Sequence, residues 1–264
     1  MKKTVKMLVL AVLLFGAGLF FSNTKAEAAD YYTGWKQVGK DYYYYSYGEL
    51  VKGSQYSLRT IDGEDYALDT KTGRMLTGWV SRGNNWYYCN PKAGGAAASG
   101  WKKINNRWFY LRPTSKSMVT GHTSIDGHYY YFSSEGVMKT GWQRPWGNTW
   151  YYYHRTEGYE LNGWQKLGGQ WYYLGTSGAM VSNGKHTIDG DVYYFNTQGV
   201  MQTGWVKSYS SWYFFNSNGK MQTGWMYRNG NWYYLNEPYG FMYYGGYHYI
   251  NGIRYWFYDD GRLY

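Results

Sequence analysis

The chain has 264 residues, with 36 tyrosines, 36 glycines, 15 tryptophans, a single cysteine and a formal net charge of +10. Aliphatic side chains are too few for an ordinary core, and a lone cysteine excludes an internal disulfide framework. The mixture points to many aromatic β-hairpins joined by glycine turns.

The first segment reads as a processing signal. Lys2 and Lys3 give a basic start, Met7 to Phe21 an apolar run, and Ala26-Glu27-Ala28 a small-x-small cleavage site. The apolar run is shorter than the roughly 20 residues of a membrane-spanning helix. Residues 1–28 are therefore expected to be a signal peptide and 29–264 a secreted repeat region with no membrane attachment after cleavage. Loss of four lysines and Glu27 would lower the net charge from +10 to +7. The end at Arg262-Leu263-Tyr264 shows no apolar tail, so attachment to a surface is expected to be non-covalent.

From Gly34 onward one pattern recurs. Gly-Trp pairs stand at Gly34-Trp35, Gly78-Trp79, Gly100-Trp101, Gly141-Trp142, Gly163-Trp164, Gly204-Trp205 and Gly224-Trp225. Gly121, Gly184 and Gly245 keep the beat between them, at a step of about 20 to 22 residues, a solenoid period. About eleven units result. The clearest is Gly163-Trp164-Gln165-Lys166-Leu167-Gly168-Gly169-Gln170-Trp171-Tyr172-Tyr173-Leu174. Gly168-Gly169 suits a two-residue primed turn, which sets Leu167 opposite Gln170, Lys166 opposite Trp171 and Trp164 opposite Tyr173. Trp164, Trp171 and Tyr173 then share one face, because directly paired residues point the same way. Tyr172, on the other face, is expected to be core. A lone two-stranded unit is marginal in water, so each hairpin must stack on the next.

Four units depart from the rule at a regular interval. Ile61-Asp62-Gly63, Ile125-Asp126-Gly127, Ile188-Asp189-Gly190 and Ile250-Asn251-Gly252 stand 64, 63 and 62 residues apart, which is three units each time. A winding of about three hairpins per turn would bring all four to one side. These units also carry His122, His186 and His248, either a stripe for pH or metal sensing or a simple filling of the absent Trp position. Metal-ligand spacing is lacking within a unit, and no cofactor motif occurs. Cys89 is either a tolerated buried thiol or an intermolecular pairing site.

Two Trp and a Tyr on one face, repeated beside the next hairpin, would make three-walled aromatic slots suited to a quaternary ammonium or to pyranose faces. No nucleophile–base set accompanies them. Cys89 has no nearby His and the acids are scattered through turns, so the chain is expected not to be an enzyme. Basic charge between aromatics also fits single-stranded nucleic acid, but export argues against that ligand.

Gly-Trp-x6-Trp-Tyr-Tyr, followed by Gly-x-Met and often Thr-Gly-Trp, resembles the choline-binding or cell-wall-binding repeat of Gram-positive bacterial surface proteins. The resemblance covers nearly all of the chain beyond the signal segment. It implies an all-β, left-handed hairpin solenoid with ligand slots between consecutive hairpins. It also implies, as slot residues, Trp79 and Trp86, Trp101 and Trp108, Trp142 and Trp150, Trp164 and Trp171, Trp205 and Trp212, and Trp225 and Trp232. Tyr88, Tyr110, Tyr152, Tyr173, Phe214 and Tyr234 stand at the matching place in the Trp-Tyr-Tyr run, and Met118, Met180, Met221 and Met242 are candidate lids. The implied partner is choline or phosphocholine on a wall polymer such as teichoic acid, whose negative charge the basic chain complements. Tyr130-Tyr131-Phe132 and Tyr193-Tyr194-Phe195 resemble instead the repeats of clostridial toxins and streptococcal glucan-binding proteins. A glycan ligand is therefore the alternative. A surface scaffold recruiting a protein partner or a second copy of itself through the variant face is the third reading.

Overall fold

A computed structural model describes residues 31–264; the expected signal segment lies outside the described residues. All regular structure among them is antiparallel strand, so no helix is present that could cross a membrane. The first repeat pairs Gly34–Val38, Asp41–Ser46 and Glu49–Leu50, and the second Arg59–Ile61, Glu64–Leu68 and Met75–Leu76. The third pairs Gly78–Arg82 with Asn85–Cys89, and the fourth contributes strands Gly100–Ile104 and Arg107–Leu111. The fifth pairs Gly121–Ile125 with His128–Phe132, the sixth Gly141–Gln143 with Tyr151–Tyr153, and the seventh Gly163–Leu167 with Gln170–Leu174. Gly184–Ile188 with Asp191–Phe195, Gly204–Ser208 with Ser211–Phe215, Gly224–Arg228 with Asn231–Leu235, and Gly246–Ile250 with Ile253–Phe257 complete the eleven. The chain divides into two compact units, one ending at residue 102 but including 111–118, the other formed by 103–110 and 119–264.

The turns fix the register. Gly168 and Gly169 both have positive φ, 59° and 83°, as a type I′ turn requires. Leu167 pairs with Gln170, Lys166 with Trp171 and Trp164 with Tyr173, the register the turn residues alone predict. The variant repeats use the same device with Asp or Asn first, residues that tolerate the left-handed region. Asp126, Asp189 and Asn251 have φ near +50° and are each followed by a glycine at positive φ.

Each repeat from the second onward buries one side chain almost completely at the end of its second strand. The position is filled by Leu68, Cys89, Leu111, Phe132, Tyr153, Leu174, Phe195, Phe215, Leu235 and Phe257, none more than 1% exposed. Cys89 is thus a core residue where its neighbours use Leu or Phe. It packs with Ala67, Val80 and Ala97, and burial pushes its thiol pKa up. The Ile of each variant repeat is also buried, whereas Leu167 at the same place in the seventh repeat is only half-buried.

Successive hairpins are tied by backbone as well as by side chains, and in each unit they form a β-hairpin solenoid. After each hairpin the chain passes back along its predecessor. Within the larger unit Met180 N–H donates to Trp150 O, Met201 to Trp171 O, Met221 to Val192 O, Met242 to Trp212 O and Leu263 to Trp232 O, all at 2.8 Å. In the smaller unit Met118 N–H donates to Trp86 O at 2.7 Å. Each bond satisfies one backbone carbonyl on the edge of a small sheet and ties that hairpin to the segment after the next.

Candidate functional site

The stacking assembles an aromatic slot from two repeats and the segment after the second. In the seventh repeat Trp164 and Trp171 meet edge to face, with centroids 6.3 Å apart at 85°. The third ring is Tyr193 of the eighth repeat, 4.7 Å from Trp164. Met201, whose N–H is held by Trp171 O, completes the lining with Ser217 and Asn218 around a cavity of about 360 Å³. No charged side chain lines it. Trp171 is 41% exposed, and the Lys166 ammonium lies 5.9 Å from its ring centroid.

The same arrangement recurs in the larger unit. Trp142 and Trp150 stand 6.3 Å apart with Tyr172 of the next repeat 5.0 Å from Trp142, and Met180 is anchored on Trp150. Trp225 and Trp232 stand 6.2 Å apart with Tyr255 at 4.9 Å, and Leu263 takes the methionine's place. Trp205 meets Tyr233 at 5.2 Å, and Met242 is anchored on Trp212. In the smaller unit Trp79 and Trp86 lie on the two strands of the third repeat, with Met118 anchored on Trp86. Trp101 and Trp108 fall on either side of the division between the units. Met138 N–H donates to Trp108 O at 2.9 Å.

The structure places part of the expected set behind the first Trp rather than beside a neighbouring slot. Tyr88, Tyr152, Tyr173, Phe214 and Tyr234 each lie 5.0–5.2 Å from the first Trp of their own repeat and back that ring. Tyr152, Phe214 and Tyr234 are buried, and Tyr173 belongs to the packing around Ile188 and Phe195. Tyr110 holds the equivalent strand position in the fourth repeat. The residue one place earlier, Tyr172 or Tyr193, is the one that turns to the neighbour's Trp. Tyr193 is buried and walls the slot at once, whereas Tyr172, expected to be core, is only half-buried. Met221 lies beside the variant eighth repeat rather than a Trp pair, while Met201 and Met138, absent from the expected set, adjoin Trp171 and Trp108.

Glycines make room for most of these methionines, among them Met138, Met180, Met201, Met221 and Met242. Gly199 and Gly219 have φ of +79° and +81°, and a Cβ there would lie 2.5 Å and 2.3 Å from the sulfur of Met180 and Met201. Only glycine lets the following loop close on the thioether. The Gly-x-Met signal therefore joins two slots: its Met serves one, and its Gly admits the Met of the slot before.

In the variant repeats the chain's own polar groups fill the corresponding space. His122 occupies the first-Trp position of the fifth repeat, stacks on Tyr129 at 4.8 Å and contacts Trp146 at 4.4 Å. Its Nε2 lies 2.9 Å from Glu160 Oε2, and Glu160 sits where other repeats have Met, its N–H on Tyr129 O. Burial and then the negative charge of Glu160 hold the Tyr153 phenol well above its ordinary pKa. In the eighth repeat Lys185 replaces the first Trp and Val192 the second, and the Lys185 ammonium lies 3.8 Å from the Tyr213 ring centroid. In the eleventh, Arg254 lies over Tyr247 at 4.3 Å. His186 and His248 do not take the Trp position; they stand one residue later, on the opposite face, against the carbonyls of Ser182 and Tyr244. Among the described residues no three metal-ligating side chains come together.

Comparison with known proteins agrees with this geometry. A family model described as a choline-binding repeat matches residues 119–161, 182–215 and 208–247. A second, described as a cell wall binding repeat, matches 77–92, 99–114 and 162–180. The first spans 109 residues and the second 51, together 160 of 264. The structure of CbpJ from Streptococcus pneumoniae is similar at 28% identity and a TM-score of 0.67, over 88% of this chain and 94% of that one. Choline binding protein F from the same organism is similar at 25% identity and a TM-score of 0.62, over 87% and 92%. The modular autolysin LytC, also pneumococcal, matches at 25% identity and a TM-score of 0.51, with 79% of this chain covering 48% of LytC. No curated protein sequence matches the chain.

Proposed function

The chain belongs to the choline-binding and cell-wall-binding repeat family, and from that membership we propose that it is a secreted, non-enzymatic protein that docks on choline-bearing wall polymer. The observation that carries this reading is the slot formed by Trp164, Trp171, Tyr193 and Met201. Three ring faces and a thioether around an open cavity suit a trimethylammonium group. The rings attract its charge, and its methyl groups carry little hydration to lose. A sugar would ask for hydrogen-bonding side chains flanking a flat ring, and here only Ser217 and Asn218 supply them.

One slot binds weakly, since a cation–π contact at a partly exposed site contributes roughly 0.5–2 kcal/mol. A polymer bearing many choline groups engages several slots at once and gains by effective concentration. The positive net charge draws the chain to a polyanionic wall, where a zwitterionic phosphocholine satisfies both features. The structure of choline binding protein F has also been obtained in the presence of a peptidoglycan analogue, which keeps wall glycan in view as a second contact.

Sedimentation of the secreted chain with purified walls tests the proposal. Walls carrying phosphocholine should retain the protein and free choline should release it. Equal retention by walls without choline, unaffected by free choline, would overturn the reading in favour of glycan.

A further inference from the structure

Met201 stands at two boundaries at once. It lines the open cavity beside Trp164, Trp171 and Tyr193, and it also packs against the buried group of Ile188, Tyr193 and Phe195. Its backbone is anchored, the N–H donating to Trp171 O at 2.8 Å. Its sulfur is hemmed in as well. A Cβ at Gly219 would lie nearest that sulfur, 2.7 Å from Cε and 3.0 Å from Cγ, so the glycine covers one face of the C–S–C plane. The sulfur lone pair on that face is shut in. The opposite face is left as the approach from the cavity, and Met201 is only half-buried. Met242 makes the same backbone bond, to Trp212 O, and meets Gly261 in the same way. It is only 5% exposed, however, and packs with Phe214 and Leu235. The two thioethers share their anchorage and differ in access.

We propose that Met201 is an oxidation site, at which hydrogen peroxide converts the thioether to a single sulfoxide epimer and so closes the slot. The inference adds regulation to the slot and, in its effect on ligand, rests on the quaternary-ammonium reading. A cavity of about 360 Å³ admits hydrogen peroxide easily. The open sulfur lone pair attacks one peroxide oxygen, an S–O bond forms and the O–O bond breaks. Sulfur is oxidised and the peroxide reduced, and the proton on the new oxygen passes to the departing hydroxide to give water. Because Gly219 covers one face, the new bond takes one configuration. The product is polar and chiral where the thioether was apolar. Its oxygen enters a space walled by ring faces and takes volume that a ligand's methyl groups would fill. It also offers an acceptor to the Ser217 hydroxyl and the Asn218 amide on the same cavity. Held by Trp171 O on the backbone and by Gly219 behind the sulfur, the side chain has no room to retreat.

The test treats the secreted chain, labelled with 5-fluorotryptophan, with limiting hydrogen peroxide and reads oxidation by mass spectrometry of its peptides. Met201 should gain oxygen at least about fivefold faster than Met242. Its peptide should carry one epimer, reduced by only one of the two stereospecific methionine sulfoxide reductases. The Trp164 fluorine signal, assigned through Trp164→Phe, should move on oxidation with no ligand present. Its midpoint for choline should rise about fivefold. The same treatment of Met201→Leu should leave the Trp164 signal and its choline midpoint unchanged, which separates Met201 from oxidation elsewhere and from unfolding. Four results overturn the inference while leaving the proposed function standing. They are oxidation of Met201 no faster than Met242, an equal mixture of epimers, an oxidised slot that binds choline as before, and an equal rise of the midpoint in Met201→Leu. A Trp164 signal silent to choline before oxidation overturns the proposed function instead, and the oxidation order, the epimer and the ligand-free shift then still judge the site.

Discussion

At the scale of single residues, the aromatic side chains divide into those that are buried and those that leave a ring partly exposed. Phe195 is fully buried, so Phe195→Ala should cost about 3–5 kcal/mol of stability, read from denaturant unfolding. Trp171 is 41% exposed, so Trp171→Ala should cost far less stability yet weaken choline at its slot by about 0.5–2 kcal/mol. Equal effects of the two on unfolding would mean that Trp171 is core. The phenols add a pH dependence. Tyr153, Tyr151 and Tyr130 have raised pKa values, burial being the first cause in each, and nearby Glu160 contributes for Tyr153 and Tyr151. Their folded state holds the proton more tightly than the unfolded chain, so their contribution is full below the ordinary phenol pKa near 10 and is lost as pH rises above it. Midpoints of urea unfolding should therefore fall between pH 10 and 12, and a flat profile there would contradict the assignment. The sequence made the Trp pairs legible because their spacing repeats. It concealed the third ring: alternation places Tyr172 on the far side of its own hairpin, and only stacking turns that side into the wall of the preceding slot.

At the scale of the hairpin, what distinguishes repeats is which groups fill the space above the first strand. The register of the seventh repeat was legible from Gly168-Gly169, and the recurrence of the variant repeats from Ile-Asp-Gly, because a two-residue turn determines every pairing beyond it. The fate of the variant slots was not legible, since residue type alone does not say that Lys185 reaches Tyr213 or that His122 reaches Glu160. Both contacts bridge two repeats. In the eighth repeat Lys185 and Val192 replace the two Trp, and the lysine's own ammonium lies over the Tyr213 ring. Lys185→Trp combined with Val192→Trp should therefore add one choline site between Tyr213 and Met221, seen as one more bound choline in a crystal soaked with the ligand. An unchanged number of sites, with the fold retained, would show that slot geometry depends on more than these two positions. The methionines follow the same logic. Met201 and Met138 come after variant repeats, yet each adjoins a Trp of the repeat before.

At the scale of the whole molecule, eleven weak hairpins become stable only by sharing neighbours, and the sharing that buries Tyr193 and Phe195 also builds the slots. The proposed binding would thus use the same contacts as folding, with the outer Trp of each pair left partly exposed. A chain with several such slots recognises a repeating polymer far better than a single headgroup, which suits attachment to a surface rather than turnover of a substrate. The most direct measurement is intrinsic tryptophan fluorescence of the secreted chain, titrated in parallel with choline and with a soluble α-glucan oligosaccharide. Because single slots are weak, the expected result is a saturable change at millimolar choline, reduced by Trp164→Ala with Trp171→Ala, and none with the glucan. A response to glucan with none to choline would contradict the account and make these slots sugar platforms.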